Sequence, residues 1–128
     1  MSILLLFALF QFKHFVIDFV FQPPYEWKNK GTYGHVGGVL HSFKHAAGTA
    51  LILCVALRFP SFRAFGLIEG LVLIDFFAHY HIDWAKMNIN ALYNLTPNDE
   101  KFWMLLGLDQ LLHQLTMIAI VGIFIGLK

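Results

Sequence analysis

The sequence predicts an all-α fold, a multi-pass transmembrane four-helix bundle. Three observations carry that prediction. Of the 128 residues, 58% are hydrophobic and only 13% charged, where a soluble domain carries nearer a quarter charged residues. Four apolar stretches reach the roughly 20 residues that a helix needs to cross hydrocarbon. The breaks between them are short enough to keep successive helices side by side. Residues 1–128 therefore read as a single integral membrane domain, because backbone polar groups in lipid are satisfied only by helices or closed barrels.

The first span covers residues 2–22. No basic segment precedes it and no small-residue cleavage site follows, only QPPYEW, so it reads as a retained span rather than a signal peptide. The long break PPYEWKNKGTYGHVGG leads to the second span, 38–58, and RFPSFR makes a tight hairpin into the third, 64–86. A second long break, MNINALYNLTPNDEK, leads to the fourth, 101–126. There Thr96 is expected to cap, Pro97 to fill the first helical position, and Asp99 and Glu100 to meet the positive end of the dipole. The NLT sequon reads as loop and cap. Tyr25, Trp27, Trp84, Tyr93 and Trp103 fall near span ends, as interfacial aromatics do. Gly66/Gly70 and Gly122/Gly126 have the spacing of close helix contacts. A single cysteine, Cys54, excludes an internal disulfide and a cysteine zinc cluster and reads as an apolar filler. A formal net charge of +1 without a Lys/Arg run gives no nucleic-acid footprint.

Ordinary spans do not explain the polar residues within these four. Positions i and i+4 share a helix face. The first span carries His14 and Asp18, with Gln11 and Gln22 on the same stripe, and the second carries His41 and His45. The third carries His79 and Asp83, with Asp75 and Lys86 alongside, and the fourth carries Asp109 and His113, with Thr116 alongside. Because the chain reverses at each break, most of these positions fall at one level, roughly 5–15 Å in from the boundary that bears the two long loops.

Such placement is costly unless it is compensated. Asp18, Asp75, Asp83 and Asp109 together represent roughly 10 kcal/mol on insertion scales if left alone, whereas a structural zinc ion contributes about 10–16 kcal/mol in small peptides. The sequence thus reads as an intramembrane metal centre drawing on His14, Asp18, His41, His45, His79, Asp83, Asp109 and His113. Eight groups suit two ions sharing carboxylates better than one, with some as outer partners of a ligating imidazole. Imidazole and carboxylate without thiolate fit zinc first, with manganese or iron as alternatives. The competing reading is a polar network that fastens four helices, with histidines protonated against aspartates. Elsewhere His81 points away from His79, His35 reads as solvated loop, and Lys13 and Lys44 read as snorkelling. Lys28, Lys30 and Lys86 lie at the mouth of the centre, where they could hold an anion such as phosphate or simply anchor helix ends.

The series HFVIDFVFQ, WKNK, HSFKH, HYHIDWAK and LDQLLHQL resembles a domain-of-unknown-function family of small multi-pass membrane proteins of bacteria and their phages. It is similar, more loosely, to families labelled membrane-bound metal-dependent hydrolases. The resemblance runs over nearly the whole chain. It implies the fold and the intramembrane His/Asp motifs, and it implies a bacterial inner membrane or a phage-infected host membrane as the setting.

Three functions compete on these residues. In a metal-dependent hydrolase, Asp83 or Asp109 would act as ligand or base. Gln22 and Gln110 would hydrogen-bond an amphiphilic or phosphorylated substrate, and Lys28, Lys30 and Lys86 would neutralise it. A haem-binding redox module would use two histidines as axial ligands, against which the aspartates argue. A non-catalytic membrane subunit or small ion or proton transporter would use the network for packing or conduction. Membrane lipid is the expected partner, with a protein partner or a homo-oligomer compatible with four short helices. Lys28, Lys30, Lys86 and Lys101 on the long-loop side, against Arg58, Arg63 and Lys128, place the site at the cytoplasmic face with both termini outside.

Overall fold

The computed structural model describes residues 1–58 and 62–127. The order is α1 (Ile3–Phe15) continued by a π-helical turn (Val16–Val20), short α2 (Pro24–Trp27), α3 (Val36–Leu57), α4 (Phe62–Leu92) and α5 (Glu100–Gly126). Four segments are long and apolar enough to cross a membrane: Ile3–Val20, Val36–Leu57, Ala64–Leu92 and Glu100–Gly126. α3 packs on α4, α4 on α5, and α1 on both α3 and α5, which closes a ring of four. The all-helical bundle expected from sequence is thus the observed fold. The RFPSFR hairpin and Lys128 fall largely outside the described residues.

Two boundaries differ from expectation. α4 continues past residue 86 to Leu92 and stops in a Schellman turn. There Leu95 N–H donates to Asn90 O (2.9 Å) and Asn94 N–H to Ala91 O (3.3 Å), with Asn94 in the left-handed region at φ 51°. Thr96 does not cap α5. The helix begins at Glu100 with Asp99 at the N-cap, and the Asp99 carboxylate accepts from Thr96 N–H (2.7 Å) and Thr96 Oγ1 (2.8 Å). These bonds tighten the turn ahead of the helix and hold Asp99 below the usual carboxylate range. Because the folded value is depressed, the contribution of the turn is present above about pH 4 and fades as pH falls below it.

The bundle interior divides in two. Leu6 and Phe10 of α1, Leu53 and Ala56 of α3, Ile68 and Leu71 of α4, and Met117, Ile120, Val121 and Phe124 of α5 form one dry cluster. The other half buries His14, His41, His45, His79, Asp83, Asp109 and His113. Outside, Leu4, Phe12, Leu51, Phe65 and Leu115 are exposed and apolar, as lipid-facing positions are. Lipid tails are as apolar as leucine, so packing and interhelical polar contacts hold such a bundle together more than water exclusion does.

At the border of the two halves lies a pair that the sequence reading missed. Lys13, expected to snorkel, is buried. Its Nζ donates to Asp75 Oδ2 (2.8 Å), Thr49 Oγ1 (2.8 Å) and His45 O (3.2 Å), while Thr49 Oγ1 donates to the same Asp75 oxygen (2.6 Å). A carboxylate inside the bundle offers this ammonium a nearer partner than the boundary does. Gly48 makes room for it, since a Cβ there would lie 2.8 Å from Lys13 Cγ and Cδ. The expected close contacts at Gly66, Gly70, Gly122 and Gly126 are not found, for a Cβ at any of them meets nothing within 4 Å.

Replacing Lys13 by Met strands Asp75 in an apolar interior and should cost about 3–5 kcal/mol. The double variant Lys13→Met/Asp75→Leu should regain most of it. Unfolding midpoints in a denaturing-detergent titration measure both, and a double variant as unstable as the single one would show that the ion pair is not what holds this border.

Candidate metal centre

Each long helix delivers one pair of chemistry-bearing side chains to the same level. α1 and its π turn supply His14 and Asp18, α3 supplies His41 and His45, α4 supplies His79 and Asp83, and α5 supplies Asp109 and His113. The π turn places Asp18 between three histidines. Asp18 Oδ1 lies 2.9 Å from His41 Nε2, 3.2 Å from His45 Nε2 and 3.9 Å from His79 Nε2, and His41 Nε2 lies 3.1 Å from His79 Nε2. A tetrahedral ion with bonds of about 2.0–2.1 Å separates its ligands by about 3.3–3.4 Å, which these contacts bracket. Asp18, His41, His45 and His79 each offer an atom within 4.8 Å of the others. This group could hold one ion without rearrangement of the helices.

His79, Asp83 and His113 form a second group of the same kind. Asp83 turns one oxygen to each imidazole, Oδ2 to His79 Nε2 (3.3 Å) and Oδ1 to His113 Nε2 (3.6 Å). The residue common to both groups is therefore an imidazole, not the bridging carboxylate that the sequence suggested. A neutral imidazole has one free lone pair, so His79 can serve one ion at a time. Two remaining candidates sit outside the groups. His14 Nε2 contacts Asp18 Oδ2 (3.0 Å) and Gln110 Oε1 (3.2 Å), and Asp109 Oδ1 faces His113 Nε2 at 3.5 Å.

Charge compensation differs from the expectation. Of the interior carboxylates, Asp75 is paired with Lys13, Asp83 with Lys30 (2.8 Å), Asp109 with Lys86 (3.1 Å) and Glu26 with Lys44. Only Asp18 is left to imidazoles, with Lys30 Nζ at 4.0 Å. The case for an ion thus rests less on summed carboxylate charge than on the convergence around Asp18. A second observation bears on the neighbouring Asp83–His113 group. Among the described residues, seven buried side-chain atoms have no hydrogen-bond partner, and five belong to this cluster: His14 Nδ1, His45 Nδ1, Asp83 Oδ2, Asp109 Oδ1 and His113 Nε2. The Lys30 contact to Asp83 Oδ2 is an ion pair without hydrogen-bond alignment. Each such buried group costs about 1–3 kcal/mol when left unsatisfied. Asp83 Oδ2, Asp109 Oδ1 and His113 Nε2 lie at the second group, whereas the His14 and His45 Nδ1 atoms face away from the Asp18 contacts, which are made through Nε2.

Glu26 was missed by sequence reasoning, which read PPYEW as loop. It is buried, and its Oε2 lies 3.5 Å from His41 Nδ1. A carboxylate on the far nitrogen of an imidazole fixes its tautomer and aims the near one. Gly37 allows this, since a Cβ there would lie 2.5 Å from Tyr25 O and push α2 off α3. The Gln22 amide lies 3.1 Å from the same His41 nitrogen. The only legible signal was a proline-initiated turn carrying an acid beside the second span.

The remaining candidates divide as follows. Lys30, Lys86 and Gln22 line one cavity of about 440 Å³ together with Trp27, Met87 and Phe102. Gln110 donates to Asp109 Oδ2 (3.0 Å) and so orients the centre from beside it. Lys28 is exposed, with Nζ 5.4 Å from the Trp27 ring centroid, and does not line the cavity. His81 is exposed and bonded to Tyr33 and Phe77 O, in keeping with its expected placement away from His79. His35 is no solvated loop residue, since it caps α3 by accepting from Gly37 N–H. Gln11 reaches Met117 Sδ, and Thr116 turns its hydroxyl to Leu112 O, so neither joins the centre.

Fold and site together define a small helical protein with four candidate membrane spans and a buried His/Asp group able to hold a metal. Over residues 5–128 it matches the family described as protein of unknown function (DUF3307), and it belongs to that family. No curated protein and no solved structure matches the chain.

Glu26→Gln removes the carboxylate from behind His41 while keeping its size, and should weaken metal affinity by about 10–100-fold with the fold retained. Competition against a fluorescent chelator measures this. An unchanged affinity would show that Glu26 does not set the His41 tautomer.

Proposed function

We propose that this protein is a membrane-embedded metal-dependent hydrolase acting on an amphiphilic, phosphorylated substrate. The observation that carries the reading is the Asp18–His41–His45–His79 convergence beside a cavity lined by Lys30, Lys86 and Gln22. Zinc is the first choice, with manganese or iron as alternatives, because the donors are imidazole and carboxylate without thiolate. One ion at the Asp18 group is the minimum, and a second at Asp83 and His113 would leave His79 to the first. When bound, the ion supplies positive charge and an acidified water.

The chain's own residues do the rest. Lys30 and Lys86 neutralise the phosphate, and Gln22 hydrogen-bonds it. Asp109 is held by Lys86 and Gln110 through Oδ2, and its Oδ1 is without a hydrogen-bond partner. In this reading Oδ1 takes a proton from the attacking water as the new phosphorus–oxygen bond forms. The bond to the alcohol oxygen then breaks, and Asp109 returns the proton to the departing alkoxide. Asp83 acts as ligand. The lysines of the long-loop side support a site at the cytoplasmic face.

Two alternatives fit less well. Ion conduction needs a polar route through the bundle, whereas the half beyond Lys13 and Asp75 is filled by an apolar cluster. A haem would have to enter among rings already stacked, His45 on His79 with centroids 3.6 Å apart.

Protein purified without chelator should carry metal at or near one ion per chain and cleave a long-chain alkyl phosphate. His45→Ala or Asp18→Asn should empty the site and lower kcat/KM by about 100-fold or more. Wild-type protein free of metal, or turnover indifferent to chelation, would overturn the assignment.

A further inference from the structure

The hydrolase reading leaves open how a membrane-resident substrate reaches a centre enclosed by four helices. A groove on the outer face of α4 and α5 bears on this. Its inner section, about 240 Å³, is lined by Ile82, Ala85, Leu112 and other apolar side chains, with Lys86 and Asp109 in its wall. Its outer section, about 610 Å³, runs toward Tyr93, Met104 and Lys101. The two sections share Ile89, Leu105 and Leu108 and so form one channel. The cavity beside the centre shares Lys86 with the inner section and Leu95 with the outer one.

We propose that this groove holds the hydrocarbon chain of a long-chain phosphate ester, whose head enters the centre sideways between α4 and α5 by displacing Asp109 from Lys86. The inference rests on the proposed function for its phosphate head and adds where the tail lies. Charge decides the occupant. The groove is apolar between its ends: where it opens to the centre it meets the Lys86 ammonium, with Lys30 across the cavity, His81 borders its inner section, and Lys101 stands at its outer end. An apolar chain with its anionic end at Lys86 and Lys30 matches the inner section, whereas a partner helix would bring its polar groups against apolar walls. The Asp109–Lys86 pair stands at the junction, partly exposed on the lysine side. A phosphate that takes Lys86 frees Asp109 toward His113, 3.5 Å away, so arrival of substrate and release of the base become one event. Transfer of a chain from bilayer to the inner section is close to neutral in solvation, since both are apolar, while the outer section reaches Tyr93, Leu95 and Lys101 at the span ends. The groove therefore selects by position rather than by affinity for hydrocarbon.

The test uses the full chain in lipid nanodiscs with a hexadecyl phosphate carrying a photoreactive diazirine in its tail, and maps the labelled residues by mass spectrometry. Label should concentrate on residues 82–89 and 105–112. Excess hexadecyl phosphate should suppress it, but hexadecanol should not. Inorganic phosphate, which has the head without the tail, should suppress it only weakly. Leu105→Trp and Ile89→Trp, which fill the groove from opposite walls, and Lys86→Gln, which removes the cation, should each lower the labelling about tenfold. The two tryptophan variants act independently, so misfolding of one leaves the other to decide. Label spread evenly over lipid-facing residues such as Phe12, Phe43 and Leu115, or insensitive to competition, would overturn the proposal. Metal content is measured on the same samples. Diffuse label on metal-loaded protein defeats the groove and leaves the hydrolase reading standing, whereas groove label on protein that never holds metal defeats the hydrolase reading and supports the groove.

Discussion

Everything in this bundle follows from the difficulty of keeping a carboxylate in hydrocarbon. Five carboxylates point inward, and the chain meets four of them with lysines: Lys13 on Asp75, Lys30 on Asp83, Lys44 on Glu26 and Lys86 on Asp109. The fifth, Asp18, is met by imidazoles. Removing either member of such a pair leaves a buried charge, which costs more than the pair contributes. The pairs therefore fix helix order, depth and rotation together, because each joins residues far apart in sequence. What remains once the lysines are assigned is a carboxylate facing three imidazole nitrogens at the separations of neighbouring ligands on one ion, and that remainder is the group that could hold a metal.

The same constraint separates site from scaffold. Leu6, Phe10, Leu53, Leu71, Met117 and Phe124 fill one half of the interior as an apolar cluster, and the cavity beside the centre lies on the long-loop side of it. Lys30 and Lys86 have two faces, one on an aspartate of the centre and one on the cavity. In the proposed reading, a phosphate arriving in that cavity would compete with the aspartates for the same cations. Substrate binding and the readiness of the carboxylates are, in that reading, linked through these two side chains.

Much of this was legible in the sequence, because two periodicities act at once. Apolar length gives the spans, and i,i+4 spacing puts His14 with Asp18, His41 with His45, His79 with Asp83 and Asp109 with His113 on common faces. Chain reversal then gives the common depth. What was not legible depends on partners distant in the chain. Lys13 looks like any lysine near a helix end until Asp75 is seen beside it. Nothing in VIDFV marks a π turn, although Asp18 sits within it, where such turns often carry function. Glu26 lies in what reads as a proline-rich loop, and its value comes from where Gly37 lets α2 settle. The glycine pairs at 66 and 70 and at 122 and 126 misled for the converse reason, since small residues in such helices often face lipid with nothing to approach.

The most direct measurement is X-ray absorption at the metal edge on protein purified without chelator. The account predicts a bound first-row ion with nitrogen and oxygen ligands at about 2.0–2.2 Å, outer-shell scattering from at least two imidazoles, and no sulfur shell. A protein with no such ion, or one whose ion sits among sulfur or water ligands alone, would contradict it.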